Sequence, residues 1–204
     1  MPAVKRLRAG LCMSQTPDSL KIQTARLALT IPTPEDARRM LDYVQDNREH
    51  LAAWEPSRQA EYYALEFWIE RLGLIAEEFK SGRSLWLMLA DRNDESGRYL
   101  GMIHFSQIVR GPFQAAYLGY SLDHRAVGKG LMYEALTAAI KYVFEEMKLH
   151  RIMANYMPGN ERSGRLLKRL GFIVEGYARD YLMLAGKWED HILTAMVNES
   201  WDGQ

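Results

Sequence analysis

The sequence contains few of the features that mark secreted, membrane or disulfide-rich proteins. Its 204 residues include a single cysteine, Cys12, which excludes a disulfide framework and argues against a cysteine nucleophile. No apolar run is long enough to span a membrane. The basic start at Lys5, Arg6 and Arg8 is followed by too short an apolar run for a signal peptide. We therefore expect a cytoplasmic protein that does not bind membranes.

The chain also lacks net charge. Lys plus Arg and Asp plus Glu both total 26, so the formal net charge is zero. No global field attracts nucleic acid, and we expect no direct nucleic-acid binding. The 5 histidines are scattered without the spacing of metal ligands, so no metal is expected.

Hydrophobic residues make up 48% of the chain and charged residues 25%, which is ordinary for a globular protein of one domain. The polar start predicts a disordered tail over residues 1–20, and residues 21–204 are predicted to form one domain. Met1 and Met13 both remain possible starts.

Beyond the tail, strand and helix patterns alternate. Thr33 is predicted to cap a helix, because Pro34 and two acidic residues follow it. Periodicity predicts strands at residues 27–31, 85–90, 99–109, 115–122 and 151–157, and a final pair of strands around 185–187. It predicts helices at residues 33–48, 61–79, from a turn at 125–130 to 147, and 160–170. Three consecutive antiparallel strands and a later helix crossover indicate an α+β fold.

The most informative segment is Arg125–Gly130, an Arg-x-x-Gly-x-Gly turn between a strand and a long helix. Glycines beside a helix N-terminus let backbone N–H groups hold a phosphate. A dinucleotide-binding turn would need glycine at Arg125, and a nucleoside-triphosphate loop would need Gly-Lys-Ser/Thr. Neither is present, and an ordinary turn with capping glycines explains these six residues equally well.

The surrounding blocks decide between these interpretations. The turn, followed by Asn160-Glu161-Arg162-Ser163 and Leu170-Gly171-Phe172, resembles the acyl-CoA-binding core of the GNAT N-acetyltransferases. More specifically, this chain resembles, from about Thr24 to its C-terminus, a branch of the family that acetylates the N-terminal alanine of a small-subunit ribosomal protein. The blocks that carry this similarity are 54–56, 117–121, 130–140, 150–158 and 176–178.

The resemblance implies a mixed, mostly antiparallel sheet of about seven strands with about four helices and a splay between the fourth and fifth strands. It also implies that acetyl-CoA is the acetyl donor. The cofactor-binding residues carried over are Tyr120, Ser121, Leu122, Arg125, Ala126, Val127, Gly128, Lys129, Gly130, Asn160 and Ser163. Plain strand packing for Tyr120 and Leu122, and helix capping for Asn160, remain open.

The catalytic residues are harder to carry over. A related branch uses a glutamate base and a tyrosine acid at positions that correspond to Asn155 and Leu167, and neither side chain can do this. The similarity to another branch implies that Ser163 bonds the CoA sulfur, although a small residue in a first helical turn is the alternative. For the base we favour Glu55 over His104, while an exposed loop glutamate remains open.

The predicted acceptor site has aromatic walls at Trp54, Tyr117 and Tyr156, each of which is otherwise a core residue. A backbone N–H near Tyr120 or Ser121 would stabilise the carbonyl oxygen as it gains charge. The acceptor implied is a ribosomal-protein N-terminus. Acetylation of a small amine, or acyl-CoA binding in ribosome assembly with weak catalysis on ribosome precursors, also remains open, as does the oligomeric state.

Overall fold

A computed structural model of the protein describes residues 20–203. Within these residues eight strands form one sheet, in the order β1-β2-β3-β4-β5-β6-β8-β7. The strands are β1 (Lys21–Gln23), β2 (Leu27–Thr30), β3 (Leu85–Asp91), β4 (Tyr99–Val109), β5 (Ala115–Leu122), β6 (Arg151–Met153), β7 (Ile173–Leu184) and β8 (Lys187–Val197). All neighbouring strands are antiparallel except β5 and β6. Cys12 and the tail predicted for residues 1–20, up to residue 19, lie outside the described residues.

The described part of the chain has five α-helices, which are α1 (Ala37–Asp46), α2 (Arg48–Leu51), α3 (Leu65–Lys80), α4 (Leu131–Glu145) and α5 (Glu161–Leu170). Short 3-10 segments precede α1, α3 and α4. The helix start predicted at Thr33 is confirmed, because the Thr33 backbone N–H donates to the Asp36 carboxylate at 3.0 Å in a capping box.

The sheet is covered on both faces, and each face has its own core. One core joins Leu87, Ile103 and Leu118 to residues of α4 and α5, and the other joins Met88 to α1 and α3. Strand β3 reads as an almost continuous apolar run because both of its faces are buried. The α+β fold predicted from the sequence is confirmed.

A cleft opens in the middle of the sheet. The parallel pairing of β5 with β6 covers only residues 115–117 and 151–153. Strand β5 continues to Leu122, whereas the chain after Met153 turns away and Tyr156 forms a single bridge with Ile192 of β8. Residues 118–122 therefore have no strand partner on this side, and α4 and α5 begin beside the gap. The fourth and fifth predicted strands, at 115–122 and 151–157, correspond to β5 and β6. The splay predicted between them is confirmed as this gap.

Several predicted boundaries differ from the structure. The fifth predicted strand was expected to reach residue 157, but β6 ends at Met153 because the bridge to Ile192 draws the chain towards β8. The first predicted helix is divided at Asn47, which separates α1 from α2. Strand β1 was not predicted, since three residues carry too little periodicity. These differences account for eight strands and five α-helices among residues 20–203, rather than about seven and four.

Candidate active site

The glycine turn presents free backbone donors to the cleft. Gly128 and Gly130 have φ values of +81° and +74°, in the left-handed region that favours glycine. Among the residues that the structure describes, no acceptor contacts the N–H groups of Val127, Gly128, Lys129 and Gly130. Helix α4 begins at the next residue, so its positive end points to the same place. The turn can therefore bind an anion such as a phosphate.

A buried carboxylate holds the first half of the turn. The side chain of Asp123 accepts hydrogen bonds from the Arg125 backbone N–H at 2.8 Å and from Arg125 Nη2 at 2.7 Å. Arg125 Nη2 also reaches Asp46 at 2.9 Å, and the Ala126 N–H donates to the Asp123 carbonyl at 2.9 Å. Arg125 and Ala126 thus use their N–H groups within the chain. Of the six predicted turn residues, only the last four keep theirs free.

A buried asparagine connects this carboxylate to the first helix. Asn47 Nδ2 donates to the Tyr43 carbonyl at 2.9 Å and to Asp123 at 3.3 Å. Asn47 Oδ1 accepts from the His124 backbone N–H at 2.9 Å. Asn47 and Asp123 were not among the residues predicted for the site. An aspartate immediately before the turn is a signal for a capping side chain, but nothing local indicates its distant partner.

The second half of the turn is held by Arg26, which immediately precedes β2. The Arg26 side chain donates from Nη1 to the Lys129 carbonyl at 2.9 Å and pairs through Nε with Glu134 of α4 at 2.7 Å. The Arg26 backbone N–H also donates to Glu134 at 2.8 Å. These contacts fix the carbonyl side of the turn and leave the N–H side open.

The cleft has a volume of about 630 Å³ and brings together most of the predicted site residues. Those that line it are Trp54, Glu55, Tyr120, Ser121, Leu122, Val127, Gly128, Gly130, Tyr156, Asn160 and Ser163. Tyr117 is not at the wall, and its hydroxyl group interacts with Tyr181 instead. Its position on β5 gives it the face away from Tyr120, and its contact with the acceptor stays a prediction.

The start of α5 positions a serine next to a tyrosine of β5. Asn160 caps α5, because its Oδ1 accepts from the Ser163 N–H at 3.1 Å, which confirms the capping alternative. In the described part of the chain its Nδ2 group has no partner and remains available in the cleft. Ser163 Oγ lies 2.7 Å from the hydroxyl oxygen of Tyr120. The sequence indicates strand packing or cofactor contact for Tyr120, and no local pattern indicates this hydrogen bond.

Glu55 lies in the loop after α2, between the cleft and a second cavity of about 270 Å³. We call this second cavity the side cavity. The Glu55 side chain is 25% exposed, and its carboxylate lies 3.5 Å from Arg58 Nη2. Burial raises the pKa of Glu55 above its ordinary value, and the charge of Arg58 opposes this change. A carboxylate with a raised pKa is a better proton acceptor, and this one borders the cleft.

The other candidates for proton transfer are less suitable. Burial lowers the pKa of His104 to about 4, so its ring is neutral near pH 7 and a weak base. Asn155 donates from Nδ2 to the Tyr181 hydroxyl at 3.0 Å, and Leu167 is a buried core residue. Neither the Asn155 side chain nor the Leu167 side chain can act as an acid or a base.

The cleft fits the chemical groups of acetyl-CoA. The four free N–H groups match a pyrophosphate, and the unpaired strand edge and Asn160 Nδ2 match the amides of the pantetheine arm. No helix within residues 20–203 could cross a membrane. Over the same residues, no three side chains of His, Cys, Asp or Glu are grouped to hold a metal ion.

Comparisons with known proteins agree with this geometry. The model of the acetyltransferase (GNAT) domain matches residues 26–173. The [ribosomal protein uS5]-alanine N-acetyltransferase of Escherichia coli K12 is 47% identical over 182 residues, which are 89% of this chain and 93% of the relative.

Two solved structures are also similar. The ribosomal-protein-S5-alanine acetyltransferase of Vibrio fischeri has a TM-score of 0.86 and 38% identity, covering 90% of this chain and 99% of that one. Mycobacterium smegmatis RimJ in complex with CoA-disulfide has a TM-score of 0.78 and 27% identity, covering 85% and 82%. The glycine turn, the splayed sheet and these matches lead to one conclusion: the chain belongs to the GNAT acetyltransferase family.

Proposed function

We propose that this protein transfers the acetyl group of acetyl-CoA to the N-terminal alanine of ribosomal protein uS5. The observation that carries the proposal is that three residues with free N–H groups, Val127, Gly128 and Gly130, line the same cleft as Ser163 and Glu55. The 47% identity to the E. coli enzyme supports the choice of acceptor. A ribosomal-protein acceptor also fits a cytoplasmic location.

On the donor side, the chain's own residues bind and orient. The N–H groups of residues 127–130 hold the pyrophosphate, and the edge of β5 with Asn160 Nδ2 holds the pantetheine arm. Acetyl-CoA, when bound, supplies an activated thioester. An N–H group of β5 near Tyr120 or Ser121 stabilises the carbonyl oxygen as it gains negative charge. Ser163 bonds the sulfur that leaves.

On the acceptor side, an α-amine demands only a modest base. Its pKa of about 7.7 to 8.0 leaves a fraction of the amine neutral near pH 7. The pKa of a lysine amine, about 10.4, is roughly 2 to 3 units higher, so its deprotonation requires a stronger base. Glu55 accepts the proton that the amine loses, and its raised pKa suits this task. Trp54 and Tyr156 border the space for a small first residue.

The test is CoA release by the purified protein with matched peptides. They have the first residues of uS5, begin with Ala, Ser or Met, and are accompanied by an N-blocked peptide that carries lysine and by a small polyamine. We expect the Ala peptide to be preferred. Preference for the blocked lysine peptide or the polyamine would overturn the acceptor assignment. Acetyl-CoA binding in calorimetry without release on any acceptor would favour a ribosome-assembly factor with weak catalysis.

A further inference from the structure

The hydroxyl groups of Tyr120 and Ser163 form a pair at the floor of the cleft. Their oxygens are 2.7 Å apart, although the residues are 43 positions apart in sequence. Both residues line the cleft, and Tyr120 is half-buried. The pair joins the unpaired edge of β5 to the first turn of α5.

The direction of this hydrogen bond decides what Ser163 can do. A serine hydroxyl has one proton, so Ser163 cannot donate to Tyr120 and to a ligand at the same time. Burial raises the pKa of Tyr120 to about 12, so the phenol keeps its proton near pH 7. Within residues 20–203 the Tyr120 hydroxyl has no acceptor other than Ser163 Oγ. Donation from Tyr120 to Ser163 therefore satisfies the phenol and leaves the serine proton free.

We propose that Tyr120 is a positioning residue, which donates to Ser163 Oγ and so directs the Ser163 hydroxyl proton towards the sulfur of CoA. This inference rests on the part of the proposed function that seats the sulfur at Ser163. When the C–S bond breaks, the sulfur leaves with the electron pair and receives a hydrogen bond from Ser163. The thiolate takes its final proton from solvent, and Tyr120 remains protonated throughout.

A second tyrosine–serine pair in the molecule is more deeply buried than the first. Tyr43 and Ser121 lie 2.8 Å apart, with both residues buried, and they bond α1 to the opposite face of β5. A purely structural bond of this kind would change stability when broken. It would not change the ionisation of a ligand thiol.

The first experiment measures that ionisation without any acceptor. CoA in its free thiol form is bound to wild-type protein, and the thiolate is followed by its ultraviolet absorbance as pH is raised. We expect Tyr120→Phe to raise the pKa of the bound thiol relative to the wild-type complex. Ser163→Ala should raise it as well, and the double variant should add nothing to the larger single change. Tyr142→Phe, which alters a half-buried tyrosine of α4 outside the cleft, is the matched control and should leave the pKa unchanged.

The second measurement separates turnover from binding. Tyr120→Phe should lower kcat by about tenfold with an unchanged KM for acetyl-CoA, since one hydrogen bond is lost and the binding groups remain. Thermal unfolding of each variant confirms that it is folded, and Ser163→Ala tests the same pair from its other side. An unchanged thiol pKa in Tyr120→Phe, or additive effects in the double variant, would overturn the proposal. Because the titration needs no acceptor, a failed uS5 assignment would leave its result intact.

Discussion

The two sides of the cleft are built differently. On the donor side, the glycine turn is held by buried Asp123 and Asn47 and by the contacts of Arg26 with Lys129 and Glu134. On the acceptor side, Glu55 has one ionic partner within residues 20–203, Arg58 at 3.5 Å, and it lies in a loop whose neighbours are largely exposed.

The proposed ligands of the two sides account for this difference. A pyrophosphate needs several N–H groups in fixed directions, so the turn must be ordered before the ligand arrives. A peptide N-terminus enters from solvent and must be released after each turnover, which a loosely connected loop permits. We therefore expect changes on the donor side to affect stability and acetyl-CoA binding, and changes on the acceptor side to affect turnover and its pH dependence.

The largest effect should come from Asp123→Ala on the donor side. The carboxylate is 2% exposed and accepts from the backbone and side chain of Arg125, so its loss leaves several donors without their partner. We expect the free energy of unfolding to fall by about 3 kcal/mol, measured by urea denaturation, with weaker acetyl-CoA binding in calorimetry. Asp46→Ala removes an exposed partner of the same arginine and should cost less than about 1 kcal/mol. Equal losses in the two variants would show that the buried anchor has no special role.

Glu55→Gln should give the largest effect on the acceptor side. Loss of a general base lowers kcat/KM by about a hundredfold, measured on the Ala peptide near pH 7. The wild-type profile of kcat/KM should fall as pH drops through the raised pKa of Glu55, because protonation removes the base. The variant should lose this contribution of Glu55 and keep only the fall that protonation of the acceptor amine causes. Exposed Glu49 of α2 provides the control, and Glu49→Gln should match the wild-type protein. Wild-type turnover in Glu55→Gln would rule out Glu55 as the base.

Gly128→Val tests the donor turn with a smaller expected loss of stability than Asp123→Ala. A side chain at φ +81° strains the backbone, and it also projects where the pyrophosphate approaches. Gly111→Val is the matched control, because Gly111 has φ +70°, equally open surroundings and a position in the turn between β4 and β5. Both variants should lose about 1 to 2 kcal/mol of stability. Only Gly128→Val should raise the Kd for acetyl-CoA, by about tenfold or more. A normal Kd would refute the phosphate-binding role of the turn.

The same contrast explains what the sequence could predict. Strand β5, the glycine turn and the helix after it depend on local signals, namely periodicity and glycines, and their order in the fold is confirmed. The bonds of Asn47 to Asp123 and of Tyr120 to Ser163 join residues 76 and 43 positions apart. No local pattern contains such pairs. The absence of Tyr117 from the cleft lining has a similar cause, since strand alternation gives two faces but does not say which one borders the cleft.

The smallest expected effect is a displacement of the pH profile by Arg58→Gln. The positive charge of Arg58 favours the ionised form of Glu55 and so opposes the rise in its pKa. Without that charge the pKa rises further, and the acid limb of kcat/KM should move to higher pH. Stability should change by less than about 1 kcal/mol, because Arg58 is partly exposed.

Arg48 offers a close control for this displacement. Arg58 stacks on Tyr62 at 4.6 Å and Arg48 stacks on Tyr63 at 4.4 Å, and both arginines line the side cavity. Only Arg58 pairs with Glu55, so Arg48→Gln should leave the acid limb where it is. Equal displacement in both variants would mean that the limb reports the general charge of the acceptor side. Displacement in Arg58→Gln alone would assign the limb to Glu55. The charge of Arg58 would then help to set the pH above which Glu55 can accept the proton of the acceptor amine.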